Sequence, residues 1–187
     1  MNLVAVPGNP LTGTSTLPGD KSISHRVALF AAISSGENRI ENFLVAGVTQ
    51  VMLEALSELG MVWSLNGTTL QVQGAGLRRT IGAPDQIRLD CGNSGTTMRL
   101  LAGAVAALGL SVVLDGSDRL RSRPMKRIVE PLQRMGVDIQ SSLDNSLRRC
   151  LGRNAEQCNL AQSVPDTVRD TKAVRLCRFI QSIGLEW

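Results

Sequence analysis

The sequence EALSELGMV at residues 54–62 is repeated in similar form as EPLQRMGVD at residues 130–138, and this internal repeat indicates the fold class. The two copies are offset by 76 residues. A second pair, KSISHR at residues 21–26 and NSGTTMR at residues 93–99, is offset by 73 residues when the closing arginines are aligned. Two separate repeats with nearly the same offset along the chain predict that a supersecondary unit is duplicated.

The spacing of apolar residues predicts a similar order of elements in both units, about residues 12–73 and 86–141. In the first unit it predicts helices at 24–33 and 51–59, and strands at 12–17, 39–43, 61–65 and 70–72. In the second it predicts helices at 95–108 and 125–135, and strands at 87–89, 111–114 and 137–139. The order β-α-β-α-β-β indicates an α/β fold with helices packed on sheets.

Turn and cap residues refine these boundaries. Ser22 or Ser24 is expected to cap the first helix, and Gly60 to follow the second. The dipeptide Asn66-Gly67 predicts a hairpin, and Pro124 is expected at the first position of a helix.

Composition restricts the function. The chain has 187 residues, enough for one domain with a core, and no apolar run reaches the length of a membrane-spanning helix. The first residues do not resemble a signal peptide, so we expect a cytoplasmic protein without membrane contact. The four cysteines form no CxxC pair and there is one histidine, which argues against a metal centre.

The basic residues favour small anionic ligands. The net charge is +4, and 17 of the 20 basic residues are arginine, which binds phosphate and carboxylate in a bidentate manner. Aromatic residues make up 3% and there is no tyrosine, so stacking platforms for nucleic acid are scarce and we expect no nucleic-acid partner. For most of these arginines an exposed, solvated position is the alternative interpretation.

Two junctions between a strand and a helix carry the candidate chemistry. At LPGDKSISHR, residues 17–26, Lys21, Ser22 and Arg26 converge on a helix N-terminus, which attracts anions. At DCGNSGTTMR, residues 90–99, Gly95 allows close approach of the backbone at a second helix start. The alternatives are a plain capped helix at the first junction and an ordinary glycine-rich turn at the second.

A third basic stretch, DRLRSRPMKR at residues 118–127, again precedes a helix. A solvated basic face is its ordinary interpretation. A role in ligand binding requires only that one of these arginines points inward.

These three stretches closely resemble the 3-phosphoshikimate 1-carboxyvinyltransferases, also called 5-enolpyruvylshikimate-3-phosphate synthases. The resemblance runs from about residue 11 to about residue 140. It implies an enolpyruvyltransferase-like inverse α/β barrel, built from six copies of the unit in two globular domains, of which two copies are recognisable here. It also implies transfer of the enolpyruvyl group from phosphoenolpyruvate to the 5-hydroxyl of shikimate 3-phosphate, on the route to chorismate and aromatic amino acids, with no cofactor.

The resemblance further implies roles for individual residues. Lys21 would contact both substrates and act in catalysis. Ser22 and Arg26 would hold shikimate 3-phosphate. Asn93, Gly95 and Arg123 would bind phosphoenolpyruvate, with Gly95 contributing its backbone.

The chain also departs from the family. The family usually carries an acidic stretch before the second helix, whereas residues 44–49 read LVAGVT. Family chains exceed 400 residues, so we expect a partial domain over residues 1–145 that depends on a complementary C-terminal half or self-associates. Residues 146–187 are expected to be a divergent tail, for which a frameshift is one hypothesis and a divergent folded unit the other.

Three functions are therefore open. The first is a truncated synthase with weak or no activity alone. The second is a non-catalytic anion-binding fragment or pseudoenzyme. The third is another enzyme on the same fold, such as one that transfers enolpyruvyl to a UDP-sugar or cyclises RNA 3′-phosphates.

Overall fold

In a computed structural model of the chain, residues 13–75, 87–141 and 147–151 are described. The first unit contains helices α1 (Lys21–Ile33) and α2 (Gly47–Glu58) and strands β1 (Ser35–Ile40), β2 (Val62–Asn66) and β3 (Thr69–Ala75). The second contains helices α3 (Gly95–Ala107), α4 (Asp118–Arg121) and α5 (Lys126–Arg134), and strands β4 (Ile87–Asp90), β5 (Ser111–Asp115), β6 (Asp138–Ser141) and β7 (Leu147–Leu151).

Each unit contributes one sheet. The first sheet has the order β1-β3-β2 and is antiparallel, with Ile40 opposite Leu70 and Leu70 opposite Leu65. The second has the order β4-β5-β7-β6, in which β4 and β5 are parallel and the other pairs are antiparallel. The parallel β4–β5 pair brings the carboxyl ends of two strands to one edge, where the candidate site begins.

A single hydrophobic core joins the two units. The helices α1, α2 and α3 contact one another, and fully buried side chains from both units belong to one cluster. Leu29 and Leu53 come from the first unit, and Leu101 and Leu114 from the second. Because this core holds the starts of α1 and α3 near each other, it fixes the geometry of the cleft between them.

The predicted α/β class is confirmed, but several boundaries differ. Residues 13–17 form no strand, so of the β-α-β-α-β-β order the described first unit shows only the part from α1 onward. The second unit follows the predicted order, with the short helix α4 inserted in the basic stretch.

The first strand of the sheet also lies earlier than predicted. The sequence pattern placed it at 39–43, whereas β1 is Ser35–Ile40. Most of β1 is exposed at the edge of the sheet, and its backbone pairing with β3 holds it, so its polar sequence shows no apolar alternation.

A hairpin loop and a helix start differ from the prediction by one and two residues. Asn66 pairs with Thr69, so the hairpin loop is Gly67-Thr68. Pro124 was expected at the first helical position, but Met125 is the N-cap of α5 and Pro124 precedes it. Gly60 does follow the cap of α2, with a φ of 93°, as predicted.

The expected tail lies mostly outside the described residues. Strand β7 begins at Leu147, inside that tail, and pairs with both β5 and β6. The longest helices in the described part of the chain have 13 residues, and none there could cross a membrane.

Candidate functional site

A cleft of about 320 Å³ lies between the N-terminal ends of α1 and α3. Nine residues line it: Lys21, Val48, Asn93, Ser94, Gly95, Thr96, Arg99, Arg119 and Arg123. Four of these described residues are cationic and none is acidic. Such a cleft attracts small anions, since its walls carry one sign of charge.

The N-terminus of α1 is capped by Asp20, not by Ser22 or Ser24 as predicted. The Oδ1 atom of Asp20 accepts a hydrogen bond of 2.7 Å from the backbone N–H of Ile23. Ser24 is buried and its hydroxyl accepts from the backbone N–H of Leu44 at 3.0 Å, which joins α1 to the loop before α2. Because a carboxylate already occupies this helix start, anion binding here depends on the Lys21 ammonium more than on backbone N–H groups.

The N-terminus of α3 has a neutral cap. The Oγ atom of Ser94 accepts from the backbone N–H of Thr97 at 3.2 Å and from the Thr97 hydroxyl at 2.8 Å. Ser94, Gly95 and Thr96 all line the cleft. The partial positive charge of this helix start therefore faces the cleft without a competing carboxylate in its cap.

Arg123 packs directly on the start of α3. A Cβ atom added at Gly95 would lie 3.3 Å from Nη1 of Arg123. The absent side chain thus leaves room for the guanidinium group beside the helix N-terminus.

The loops after β4 and β5 are tied to each other. The backbone N–H of Cys91 donates to the Asp115 carbonyl at 2.7 Å, and that of Ser117 donates to the Gly92 carbonyl at 2.9 Å. The Ser117 hydroxyl donates to Oδ1 of Asn93. A Cβ atom at Gly116 would lie 2.5 Å from the Gly92 carbonyl oxygen, so only glycine allows this approach.

Asp115 determines which arginines of the basic stretch are available to the cleft. Its buried carboxylate accepts from Nε and Nη2 of Arg121, each at 2.9 Å, and from Arg88. The hydrogen bonds from Arg121 outweigh burial and lower the pKa of Asp115 to about 2. Arg121 is therefore held by Asp115, while Arg119 and Arg123 on either side of it line the cleft.

His25 lies behind the cleft and is fully buried. Its Nδ1 is 2.7 Å from the Lys21 carbonyl oxygen, and its Nε2 is 3.5 Å from Oγ of Ser94. Burial is the main cause that lowers the pKa of His25 below its ordinary value, and the bond to the Lys21 carbonyl opposes it. The ring is thus neutral at pH 7.

The cleft brings four of the six predicted site residues together: Lys21, Asn93, Gly95 and Arg123. Ser22 and Arg26 are not among the lining residues. Arg26 lies along its own helix, where Nη1 donates to the Ser22 carbonyl at 2.7 Å.

The sequence interpretation missed several residues at the site: Val48, Ser94, Thr96, Arg99, Arg119 and, behind it, His25. Arg99 could have been found, because it lies four residues after Gly95 on the same helix face. Nothing in the sequence distinguishes Arg119 from Arg121, since Asp115, which binds Arg121, comes from a different element. In residues 13–75 and 87–141 no group of acidic, cysteine and histidine side chains could hold a metal ion.

A family model of EPSP synthase (3-phosphoshikimate 1-carboxyvinyltransferase) matches residues 6–165. The 3-phosphoshikimate 1-carboxyvinyltransferase of Thermodesulfovibrio yellowstonii is 43% identical over 146 residues, which cover 78% of this chain and 34% of the relative. The enzyme of Geobacter metallireducens is 45% identical over 133 residues, covering 71% and 30%. The matched segment extends past residue 140, where the resemblance was expected to end.

A solved structure of EPSP synthase from Acinetobacter baumannii superposes with a TM-score of 0.65 at 35% identity, covering 75% of this chain and 32% of that one. The fold is thus that of the enolpyruvyltransferases, an inverse α/β barrel of which this chain holds a part, as the resemblance implied. The chain spans about a third of the length of these relatives. The match over most of its residues shows that the chain belongs to the EPSP synthase family.

Proposed function

We propose that the cleft between α1 and α3 gathers the two anionic substrates of an EPSP synthase, shikimate 3-phosphate and phosphoenolpyruvate. The observation that carries the proposal is the set of four cations, Lys21, Arg99, Arg119 and Arg123, around one cleft whose described lining contains no acid. The two substrates together bring two phosphates and two carboxylates, which repel each other. Fixed cations and a helix N-terminus offset that repulsion and hold the reacting groups in place.

Within this proposal the residues have separate roles. Lys21 lies at the α1 side of the cleft and contacts both substrates. Ser22 and Arg26 lie in the first two turns of α1, next to Lys21 and outside the described lining, and in this proposal they bind the shikimate 3-phosphate that extends beyond the cleft. Asn93, Gly95 and Arg123 bind phosphoenolpyruvate at the start of α3, where Arg123 and the helix N-terminus act on the same anion.

The proposed reaction forms a bond between the 5-hydroxyl oxygen of shikimate 3-phosphate and the enolpyruvyl carbon, and inorganic phosphate leaves. The cations of the cleft would stabilise the charge that develops in the tetrahedral adduct. Proton transfer needs an acid and a base, and the described residues that line the cleft provide no carboxylate. We therefore expect this chain to bind substrates without measurable turnover by itself.

Calorimetric titration of the chain with each substrate tests the proposal. Lys21→Ala should weaken both ligands by about 10-fold or more, and Arg123→Ala should weaken phosphoenolpyruvate more than shikimate 3-phosphate. Arg39→Ala is the matched control, because this exposed arginine of β1 pairs with the following Glu41 and does not line the cleft. If the native chain binds neither ligand while remaining folded, the proposal is wrong.

The second candidate, a non-catalytic anion-binding fragment, is favoured by the lack of acidic groups in the described cleft lining. A phosphate-release assay separates the two. Turnover that appears on adding a complementary C-terminal half indicates a split enzyme, and binding without restored turnover indicates a fragment that only binds. Normal turnover by the pure monomeric chain would contradict our expectation for the isolated chain.

Small anions rather than nucleic acids are the proposed partners. A nucleic-acid site would show affinity for single-stranded oligonucleotides that falls steeply with salt. We expect no such binding at physiological ionic strength. Competition of an oligonucleotide with phosphoenolpyruvate would contradict this expectation.

A further inference from the structure

The ring of His25 touches both sides of the proposed anion site without reaching the cleft itself. His25 belongs to α1, and its two nitrogens face the Lys21 carbonyl at 2.7 Å and Ser94 Oγ at 3.5 Å. Lys21 and Ser94 line the cleft, and they belong to the two separate junctions. The imidazole is therefore a direct link between the junctions, 69 residues apart in sequence.

The hydrogen-bonding partners define which nitrogen carries the proton. A carbonyl oxygen can only accept, so Nδ1 of His25 is the protonated nitrogen. The Ser94 Oγ atom already accepts from the Thr97 backbone N–H and hydroxyl, so its own proton is available to Nε2 of His25. The chain of donors runs from Thr97 through Ser94 and the ring to the Lys21 carbonyl, and a neutral imidazole protonated at Nδ1 satisfies these contacts. The Val48 backbone also lies within hydrogen-bonding reach of the ring.

The charges around the ring favour the same state. Lys21 and Arg26 on α1 both disfavour a second proton on His25, and burial adds to their effect. The backbone groups of Lys21 and Val48 act in the opposite direction and are outweighed. From α3 the ring meets the uncharged Ser94.

We propose that His25 is a positioning residue that sets the spacing between the Lys21 ammonium and the N-terminus of α3, and so matches the cleft to two adjacent anions. This inference rests on the proposed function of the cleft. The ring acts through the Lys21 backbone and the Ser94 hydroxyl and does not contact substrate.

Three substitutions of His25 remove the two contacts either together or one at a time. His25→Leu removes both. His25→Asn keeps a donor near the position of Nδ1, and His25→Gln keeps an acceptor near the position of Nε2. We expect phosphoenolpyruvate affinity to fall by about 10-fold in the leucine variant and by less in the other two, since each retains one link.

A double-mutant cycle isolates the link from general destabilisation. Ser94→Ala and His25→Leu should be strongly non-additive in phosphoenolpyruvate affinity, since they break the same chain of donors. Trp63→Phe is the control for a side-chain hydrogen bond lost elsewhere, because it removes the exposed bond of 2.7 Å from Nε1 to the Ser57 hydroxyl away from the cleft. It should lower stability and leave affinity unchanged.

Nitrogen-15 NMR of the native chain tests the inference even if no ligand binds. The single histidine gives one imidazole signal set, which should show a neutral ring protonated at Nδ1. In His25→Leu, which breaks both contacts, the amide signals of Gly95 and Thr96 should shift along with that of Lys21. A ring protonated at Nε2, or amide signals of α3 that do not move, would overturn the inference.

The binding and spectroscopic results separate the two ideas. If the native chain binds phosphoenolpyruvate and His25→Leu binds it equally well while folded, the role of His25 is wrong and the proposed function stands. If the native chain binds neither substrate, the proposed function fails, and the NMR result alone decides whether His25 links the junctions.

Discussion

At Gly95 a single missing methyl group decides how close Arg123 comes to the start of α3. Gly95→Ala would place a Cβ atom 3.3 Å from Arg123 Nη1, so the guanidinium must move by a few tenths of an ångström. We expect phosphoenolpyruvate to bind about 3- to 10-fold more weakly, with shikimate 3-phosphate unaffected, as measured by calorimetry. Gly47→Ala is the control, because a Cβ atom there meets no neighbour within 4 Å. Unchanged phosphoenolpyruvate affinity in Gly95→Ala would show that Gly95 is only a turn residue.

The carboxylate of Asp115 makes stability depend on pH. Its pKa is lowered from 3.8 to about 2, so its contribution is fully present above about pH 4 and is lost as the pH falls through 2. Asp115→Asn should lower the free energy of unfolding at pH 7 by about 2 kcal/mol. The gap between variant and native chain should narrow as the pH falls from 4 toward 2.

Denaturant unfolding at several pH values measures this gap. Asp118→Asn is the matched control, because Asp118 also pairs with Arg121 but its side chain is 99% exposed, so little change is expected. A gap for Asp115→Asn that is constant from pH 7 to pH 2 would contradict the role of the ionised carboxylate.

The sequence predicted those site residues whose signal is local. Lys21 and Gly95 are marked by their place at a helix start, and Asn93 and Arg123 by the local motifs that resemble the family. The selection between Arg119 and Arg121 depends on Asp115, which a different element supplies. The role of His25 depends on Ser94 across the core, and no pattern along the chain encodes that contact.

At the scale of the element, α2 begins at a weak cap. Its N-cap is Ala46, with extended φ and ψ of −149° and 156°, and no side chain there accepts from the first turn. Thr49 compensates in part, because its hydroxyl accepts from the Ala46 backbone N–H at 3.0 Å. A serine or aspartate at position 46 would supply the missing acceptor.

Ala46→Ser should therefore raise the free energy of unfolding by about 1 kcal/mol in urea titrations. Gln50→Ser, at an exposed position inside the helix, is the control and should not raise the free energy of unfolding. Ala46→Asp should also stabilise α2, but its carboxylate would lie near Val48 at the cleft and weaken anion binding. An unchanged midpoint for both variants would mean that Thr49 already satisfies this helix start.

The elements with strong apolar periodicity were predicted well, and the others were not. Helices α3 and α5 and strands β4 and β5 lie within one residue of their predicted ranges, since each has a buried face. Helices α1 and α2 begin three and four residues earlier than predicted. Strand β1 is held by pairing at a sheet edge, and α4 is a single turn with one buried residue, Leu120. Neither leaves a periodic signal in the sequence.

At the scale of the whole molecule, the shared core predicts that the two units unfold together. Leu114 in β5 is fully buried, and Leu114→Ala should lower the free energy of unfolding by about 2–5 kcal/mol. Trp187→Phe leaves Trp63 in β2 as the sole tryptophan, and thus as a reporter on the other unit. In Leu114→Ala the unfolding midpoint followed by Trp63 fluorescence should fall together with the midpoint followed by circular dichroism.

Val62→Ala is the control for this experiment, because Val62 is 68% exposed and its truncation should leave both midpoints in place. A Trp63 transition that keeps its native midpoint in Leu114→Ala would show that the units unfold independently.

The close approach of Gly116 to the Gly92 carbonyl has a consequence for directed evolution. A library that randomises Arg99, Arg119 and Arg123 changes side chains that line the cleft and leaves the backbone beneath them intact, so most of its members should still be well expressed and can be sorted for new ligands. Randomising Gly116 instead separates the two loops that carry Asn93 and Ser117. Such variants should fold poorly and be lost at the expression step. Ligand preference in this scaffold is therefore open to engineering at its arginines and closed at the backbone beneath them.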